Sequence, residues 1–518
     1  MDDVPPPERP TAGLTRHTLK GLQWAYLGTA IGGVLQFGMT MVMARLLTPT
    51  AFGLIALAGL FLRFVDYFAK AGITQALIQK ASLGADDVRA AFALSVGLAA
   101  AFAVVVLAGA PLAAELVQEP ELIPVLRWLS LGLLLHGLGA PSVALLRRGL
   151  RFRELAMIEI GSYAVGYLGV GLIMALSGAG VYALVGAMLT QGAVNAASAY
   201  LRIRHPLAPS RATASYRAIL AFGARVSLVG FFEFLKSSLD TLAIGRWAGS
   251  AQLGLYNRAK VLAELPSYQL MQGLSRVLFP SFSAIQFEHE RLRKAYLSAV
   301  GAASAILLPL SAGMAVAAPE IILVVLGPQW VGAIDVLPWL LLASAIAMTG
   351  HFAGIVAEAQ AALNAKMLIA VASTVTLAGL LWFAQGRPLA AYGAAVAGST
   401  AVSHIGYVAI LTRTLETSFR SLIRPYARSM LGAAAVAAAV AGVRLVLVHQ
   451  GSAVGIVLAC EILAGAIAIG LMLRLGPMRV FRDDLAHRLA DAGMIGPGSS
   501  RLGRAIQVFI GSPSDQRR

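Results

Sequence analysis

From Gly21 to Arg474 the chain is an almost unbroken succession of apolar segments, each about 20 residues long, the length a helix needs to cross a bilayer. In hydrocarbon every backbone N–H and C=O must find its partner inside the protein, so such a succession folds as a bundle of helices. About fourteen segments fit: 20–46, 53–78, 88–112, 121–146, 155–177, 179–201, 216–246, 254–282, 293–318, 332–360, 366–385, 389–412, 424–448 and 453–474. Only 13% of the 518 residues are charged, too few to cover a soluble protein of this size. The fold expected is an all-α polytopic membrane protein.

The loops carry a second signal. The net charge is +16, which by itself would also suit a nucleic-acid binder. The basic residues, however, alternate with segment number. Arg147, Arg148, Arg151 and Arg153 follow the fourth segment, and Arg202, Arg204, Arg211 and Arg217 follow the sixth. Arg291, Arg293 and Lys294 follow the eighth, and Arg413, Arg420 and Arg424 the twelfth. The intervening 113–121 has Glu115, Glu119 and Glu121 with no Lys or Arg, and 177–180 has no charge. Cytoplasmic loops hold the excess of Lys and Arg, so both termini are expected in the cytoplasm and the helix count to be even. No nucleic acid is implied. The N-terminus, M-D-D-V-P-P-P-E-R-P, lacks a small-residue cleavage site, so the first helix reads as a retained anchor. The single cysteine, Cys460, lies in the last apolar helix and reads as a packing residue.

An internal repeat organises the segments. A-R-L-L-T-P-T-A-F-G-L-I-A-L-A, from Ala44, faces G-R-W-A-G-S-A-Q-L-G-L-Y-N-R-A, from Gly245. Arg45 and Gly53-Leu54 thus recur 201 residues later as Arg246 and Gly254-Leu255. Four positions match, and both copies join the first helix of a half-chain to its second. The halves begin on the same side of the membrane, so the repeat is parallel, a transporter layout with a cavity between the halves. The expected divisions are a cytoplasmic segment 1–19, an N-lobe 20–205, a C-lobe 206–415, two extra helices in 416–474 and a cytoplasmic tail 475–518. In the tail, Met478, Phe481, Leu485 and Leu489 share one helical face, as in a helix lying on the membrane surface. Arg45 and Arg246 fall at the outer rim, where their expected role is to fix a tight turn.

Charges at membrane depth cost roughly 2.5–3.5 kcal/mol each, so they face a cavity or a partner. Arg63, Asp66 and Lys70 fall on one face of the second segment. Glu233, Lys236 and Asp240 do so on the seventh, and Gln269, Gln272 and Arg276 on the eighth, with Arg258 and Lys260 nearer its outer end. Each group reads either as a cavity-lining face or as a polar cluster that holds helices together. In the repeat Arg63 falls opposite Glu264, an arrangement in which opposite charges would close a gate. His351 and Glu358, seven apart, read as a proton-carrying pair or a buried hydrogen-bonded one. Glu159, His136, His404, Arg444 and Glu461 stand alone in the sequence and read as structural or snorkelling. There is no phosphate loop, no metal spacing and no nucleophile motif, so no enzyme, metal or cofactor is expected.

The stretch M-A-R-L-L-T-P-T-A-F-G-L-I-A-L-A resembles the first-loop signature of bacterial polysaccharide transporters. So do G-L-Y-N-R-A with V-L-F-P-S-F-S-A-I-Q, and V-V-L-G-P-Q-W-V-G-A. These are the Wzx-like oligosaccharide flippases of the multidrug/oligosaccharidyl-lipid/polysaccharide (MOP) exporter superfamily, and the resemblance covers about 15–480. It implies fourteen helices, two six-helix lobes in a V, and a cationic cavity. It also implies that an undecaprenyl-diphosphate-linked oligosaccharide crosses the plasma membrane by alternating access. Candidate substrate contacts are Arg63, Lys70, Lys236, Arg258, Gln269, Gln272 and Arg276. Asp66, Glu233, Asp240 and Glu264 are the candidate ion-coupling or gating carboxylates. Cations suit a diphosphate that must leave water. Membrane lipid, a polysaccharide polymerase and a chain-length regulator are the implied partners, and a monomer is the default. A cation-coupled drug exporter of the same superfamily would want a cavity richer in carboxylates and aromatics. A peptidoglycan-precursor flippase would share the cationic cavity, and a membrane polymerase would need longer outer loops.

Overall fold

In the computed structural model the described residues are 31–69, 73–80, 82–210, 237–267, 285–360 and 362–475, with single positions between them. They are helical almost throughout. In chain order the helices are α1 (Ile31–Leu46), α2 (Pro49–Ala69), α3 (Ile73–Gln79), α4 (Ala85–Val117), α5 (Leu122–Arg148), α6 (Phe152–Leu176) and α7 (Val181–Arg202). Then come α8 (237–267), α9 (His289–Val316), α10 (Leu337–Ala359), α11 (Leu363–Ala384), α12 (Leu389–Thr414), α13 (Phe419–His449) and α14 (Val454–Leu475). Short helical turns from Ala318 to Ala333 join α9 to α10. Nine of the described helices are long and apolar enough to cross a membrane. The seventh and eighth sequence segments meet in α8, and both extend beyond the described residues.

Cα packing divides the chain between Gly254 and Leu255, inside the second copy of the repeated Gly-Leu pair. In the first unit α5 is the hub, packed against α4 and α7. Small residues set these distances: a Cβ on Gly137 would lie 2.6 Å from that of Ala99, and one on Gly139 3.1 Å from that of Ala196. Close approach of this kind drives helix association where burial from water does not. The middle of α6 widens into π-turns at Ala164–Gly171, with Gly166 and Gly171 against Ala187 of α7. The arginine-rich loops are stitched rather than loose. Arg148 donates to the carbonyls of Leu77, Ile78 and Lys80, closing α3 onto the end of α5. Arg151 grips Glu154 through Nε and Nη2 at 2.5 and 2.6 Å. His205, in the linker after α7, meets the Ser142 hydroxyl at 3.1 Å and is buried between Phe92 and Tyr200.

In the second unit α10 is the hub, with 78% of its apolar window buried against α9 and α12. Tyr296, Met348, Phe352, Val408 and Leu411 fill that core. α13 and α14 lie at its edge, and only 17% of either window is buried within the protein. Their remaining apolar surface, such as Leu445 at 72% exposure, is suited to lipid.

Candidate functional site

The repeated element has a geometry that its sequence does not announce. Thr48 Oγ1 accepts from Ala51 N at 3.4 Å and Pro49 opens α2, an ordinary helix start. In the second copy Gly249 takes φ +84° and breaks α8 at the matching place. The two copies then pack against each other. A Cβ on Gly53 would overlap the carbonyl oxygen of Ser250, and a Cβ on Gly254 would overlap that of Pro49. Pro49 and Ser250 are themselves 201 residues apart, so the contact is reciprocal: each copy's glycine seats on the other copy's helix start. Glu119, in the loop between α4 and α5, locks the junction. Its Oε1 accepts from Ser250 N at 2.6 Å, placing a carboxylate at the start of a helix, where backbone N–H groups are unsatisfied. The glycines therefore carry this junction. Arg45 is exposed and Arg246 half-buried beside it.

The candidate cavity charges divide into those the structure places and those outside it. Arg63 is exposed on α2, and its Nε donates to the Gly59 carbonyl one turn back at 3.1 Å. Asp66 lies on the same helix, but its side chain is outside the described residues, as are Lys70, Glu233, Lys236, Gln269, Gln272 and Arg276. Asp240 is buried at 3% exposure, and its Oδ1 accepts from Thr241 N at 2.7 Å and Thr241 Oγ1 at 3.3 Å. Glu264 is exposed on α8. Arg258, half-buried, donates to Asn257 Oδ1 at 2.7 Å, and Lys260 Nζ stands 5.8 Å from the Tyr256 ring centroid.

Other titratable residues acquire partners that spacing did not suggest. Glu358 forms an ion pair with Lys366 across the turn from α10 to α11. His404 meets Tyr426 edge-on at 5.4 Å. Arg444 of α13, which stands alone in the sequence, donates through Nε to Glu320 Oε1 at 2.9 Å. Glu320 lies 124 residues away, in the turn after α9, so no local pattern marks the pair. Among the described residues no group of three or more His, Cys, Asp or Glu side chains could hold a metal ion.

Comparison with known proteins gives one family and one fold. Residues 42–335 match the family model described as polysaccharide biosynthesis protein. The chain is 26% identical over 492 residues to the succinoglycan biosynthesis transport protein ExoT of Rhizobium meliloti, covering 91% of this chain and 94% of that protein. It is 24% identical over 414 residues to the lipopolysaccharide biosynthesis protein WzxC of Escherichia coli, covering 80% and 82%. Among solved structures, the lipid II flippase MurJ in an inward closed conformation aligns with TM-score 0.66 and 11% identity over 89% of this chain and 99% of its own. An inward-facing multidrug-resistance MATE transporter of the MOP superfamily aligns with TM-score 0.55 and 17% identity over 75% and 96%. These structural likenesses establish a MOP-type fold.

Proposed function

The chain belongs to the polysaccharide biosynthesis protein family, and from that premise we propose that it is a flippase for lipid-linked oligosaccharide. Its substrate on this reading is an oligosaccharide repeat unit on undecaprenyl diphosphate. Its task is to move that unit across the plasma membrane by alternating access, for assembly of a surface polysaccharide. The observation that carries the proposal is the nearly end-to-end match to ExoT, whose name is that of a succinoglycan biosynthesis transport protein. The chemistry is consistent. Arg63 stands in an apolar helix with no phosphate loop anywhere in the chain, so it suits binding a phosphate more than hydrolysing one. A diphosphate leaving water needs cations and hydrogen-bond donors in place of its hydration.

On this reading the protein is a monomer in the bacterial inner membrane with both termini cytoplasmic, and a polymerase and a chain-length regulator act after it. The lobes are 20–205 and 206–415. Arg63, Lys70, Lys236, Arg258, Gln269, Gln272 and Arg276 serve the diphosphate and sugar, and Asp66, Glu233, Asp240 and Glu264 serve coupling or gating. The test is deletion of the gene followed by analysis of lipid-linked intermediates. Undecaprenyl-linked repeat units should accumulate in the inner leaflet and surface polysaccharide should be lost, and the wild-type gene should restore both. Persistence of surface polysaccharide with no accumulated intermediate would overturn the proposal.

A further inference from the structure

At the end of the second unit opposite Arg291, Arg293 and Lys294, three ionisable side chains border one apolar cluster. Glu461, on α14, is 1% exposed, and neither of its carboxylate oxygens has a hydrogen-bond partner. Glu320 is 5% exposed. Its Oε1 accepts from Arg444 Nε at 2.9 Å, and its Oε2 has no partner. Each of the three lies one turn along its chain from a shared apolar cluster, in which Ala317, Val440 and Leu458 pack together. That aliphatic cluster also holds Val436, with Val324 and Ile469 packed against it.

One guanidinium therefore faces two buried carboxyls. Arg444 neutralises Glu320 by direct contact and leaves Glu461 with no donor. An ionised carboxylate buried without a hydrogen bond costs several kcal/mol, comparable to the whole stability of a domain. The group escapes that cost by taking a proton. A hard metal cation fits poorly, because it wants about six oxygen ligands and the bordering cluster is aliphatic. Among the described residues, the other ionisable side chains of the helices packed here lie elsewhere along them. On α9 the ionisable side chains His289, Glu290, Arg291, Arg293, Lys294 and Tyr296 lie in the first turns, at the far end. Arg420, Arg424, Tyr426 and Arg428 likewise begin α13. His449 is exposed at its end, and α14 adds only Cys460 and Arg474.

We propose that Glu320, Arg444 and Glu461 form a proton-binding site, and that its proton is the coupling ion of the transporter. The coupling role rests on the flippase reading above; the binding of a proton does not. With Arg444 on Glu320 and a proton on Glu461 the cluster is neutral. When the helices part and water enters, the Glu461 O–H gives its proton to water, and the cluster is left with one negative charge balanced by hydration. Arg444 can serve either carboxylate, so the proton belongs to the pair and resides on whichever member lacks the guanidinium. α13 and α14 have no counterpart in the repeat, so Arg444 and Glu461 have no equivalents in the first half of the chain.

The test is infrared difference spectroscopy of the full-length protein in lipid nanodiscs, titrated through neutral pH. The wild type should show the C=O band of a buried protonated carboxyl, shifted in deuterated water. Glu461→Gln should abolish the band. Glu320→Gln should abolish it too, because Arg444 is then free to pair with an ionised Glu461. Glu358→Gln should leave it unchanged. A band that survives both Glu461→Gln and Glu320→Gln would overturn the site. For coupling, Glu461→Gln inserted at the wild-type level should restore no more surface polysaccharide than the deletion strain, since its neutral amide cannot release a proton. Full restoration with the band absent would overturn the coupling role and leave the flippase reading intact.

Discussion

Glu119 and Glu320 are separated by 201 residues, the same interval as Arg45 and Arg246, yet their carboxylates find different partners. Glu119 accepts the N–H of Ser250 and holds the junction of the two repeated elements. The residue that matches Ser250 in the first copy is Pro49, which has no N–H to offer. Glu320 accepts instead, through one oxygen, from a guanidinium of α13, a helix outside the repeat. One carboxylate thus meets a backbone N–H and the other a side-chain cation. The extra helices supply that cation and bring a third ionisable group, Glu461, with it. The first site is a backbone lock whose partner cannot change its charge. The second is an arrangement of side chains in which a proton can move.

The largest effects should come from breaking the reciprocal contact itself. Gly53→Leu and Gly254→Leu each drive a side chain into a backbone carbonyl, which cannot yield as a flexible side chain would. Overpacking of this kind costs about 3 kcal/mol or more where backbone must shift. Both variants should unfold well below the wild type in detergent and insert at reduced level. Gly59→Leu, on the same helix with open space around its Cα, should unfold within a few degrees of wild type. If only one of the two glycines is sensitive, the contact is not reciprocal.

Next in size is Arg444→Gln, which leaves Glu320 buried with no cation. Breaking a fully buried pair costs about 3–5 kcal/mol, and with Arg444 38% exposed the expected loss is toward about 2 kcal/mol. Adding Glu320→Gln should recover most of it, because an amide needs no counter-charge. The coupling is read from a double-mutant cycle in thermal unfolding, and additive losses would mean that the two residues do not act as a pair.

How far the sequence discloses these sites depends on the range of the interaction. The apolar segments, the arginine-rich loops and the repeated Arg, Gly-Leu element are local patterns; α4–α7 and α9–α14 follow them, whereas the second segment, expected as one helix, appears as α2 and α3. The element's meaning was not local. The sequence marks Arg45 and Gly53 together with their repeats, and the close contact at Gly53 and Gly254 depends on the side chain they lack. Arg444 and Glu461 look solitary because Glu320 is 124 residues from its partner and belongs to a turn with no pattern of its own. Glu358 forms an ion pair with Lys366 across the next turn, a partner that lies off its own helix. Periodicity finds neighbours on one helix, and contacts between helices depend on packing that it does not encode.

The smallest effect sharpens the comparison most. Ser250→Pro gives the second copy the residue that the first copy already has. Proline is tolerated at the start of a helix, and the preceding Gly249 is free of the steric limits that proline imposes on other residues. The backbone should therefore accept it, and the change reduces to loss of one charge-assisted hydrogen bond, worth about 1.5–3 kcal/mol when made to a charged group. Glu119 is at a loop, where water replaces part of the lost bond, so the expected cost is about 1 kcal/mol. Glu119→Gln should cost about the same, since a neutral amide oxygen accepts less strongly and forgoes the helix-terminus attraction. In a cycle of the two, the second change should cost almost nothing once the first is made. If Ser250→Pro is as damaging in the Glu119→Gln background as in the wild type, its effect is on the backbone.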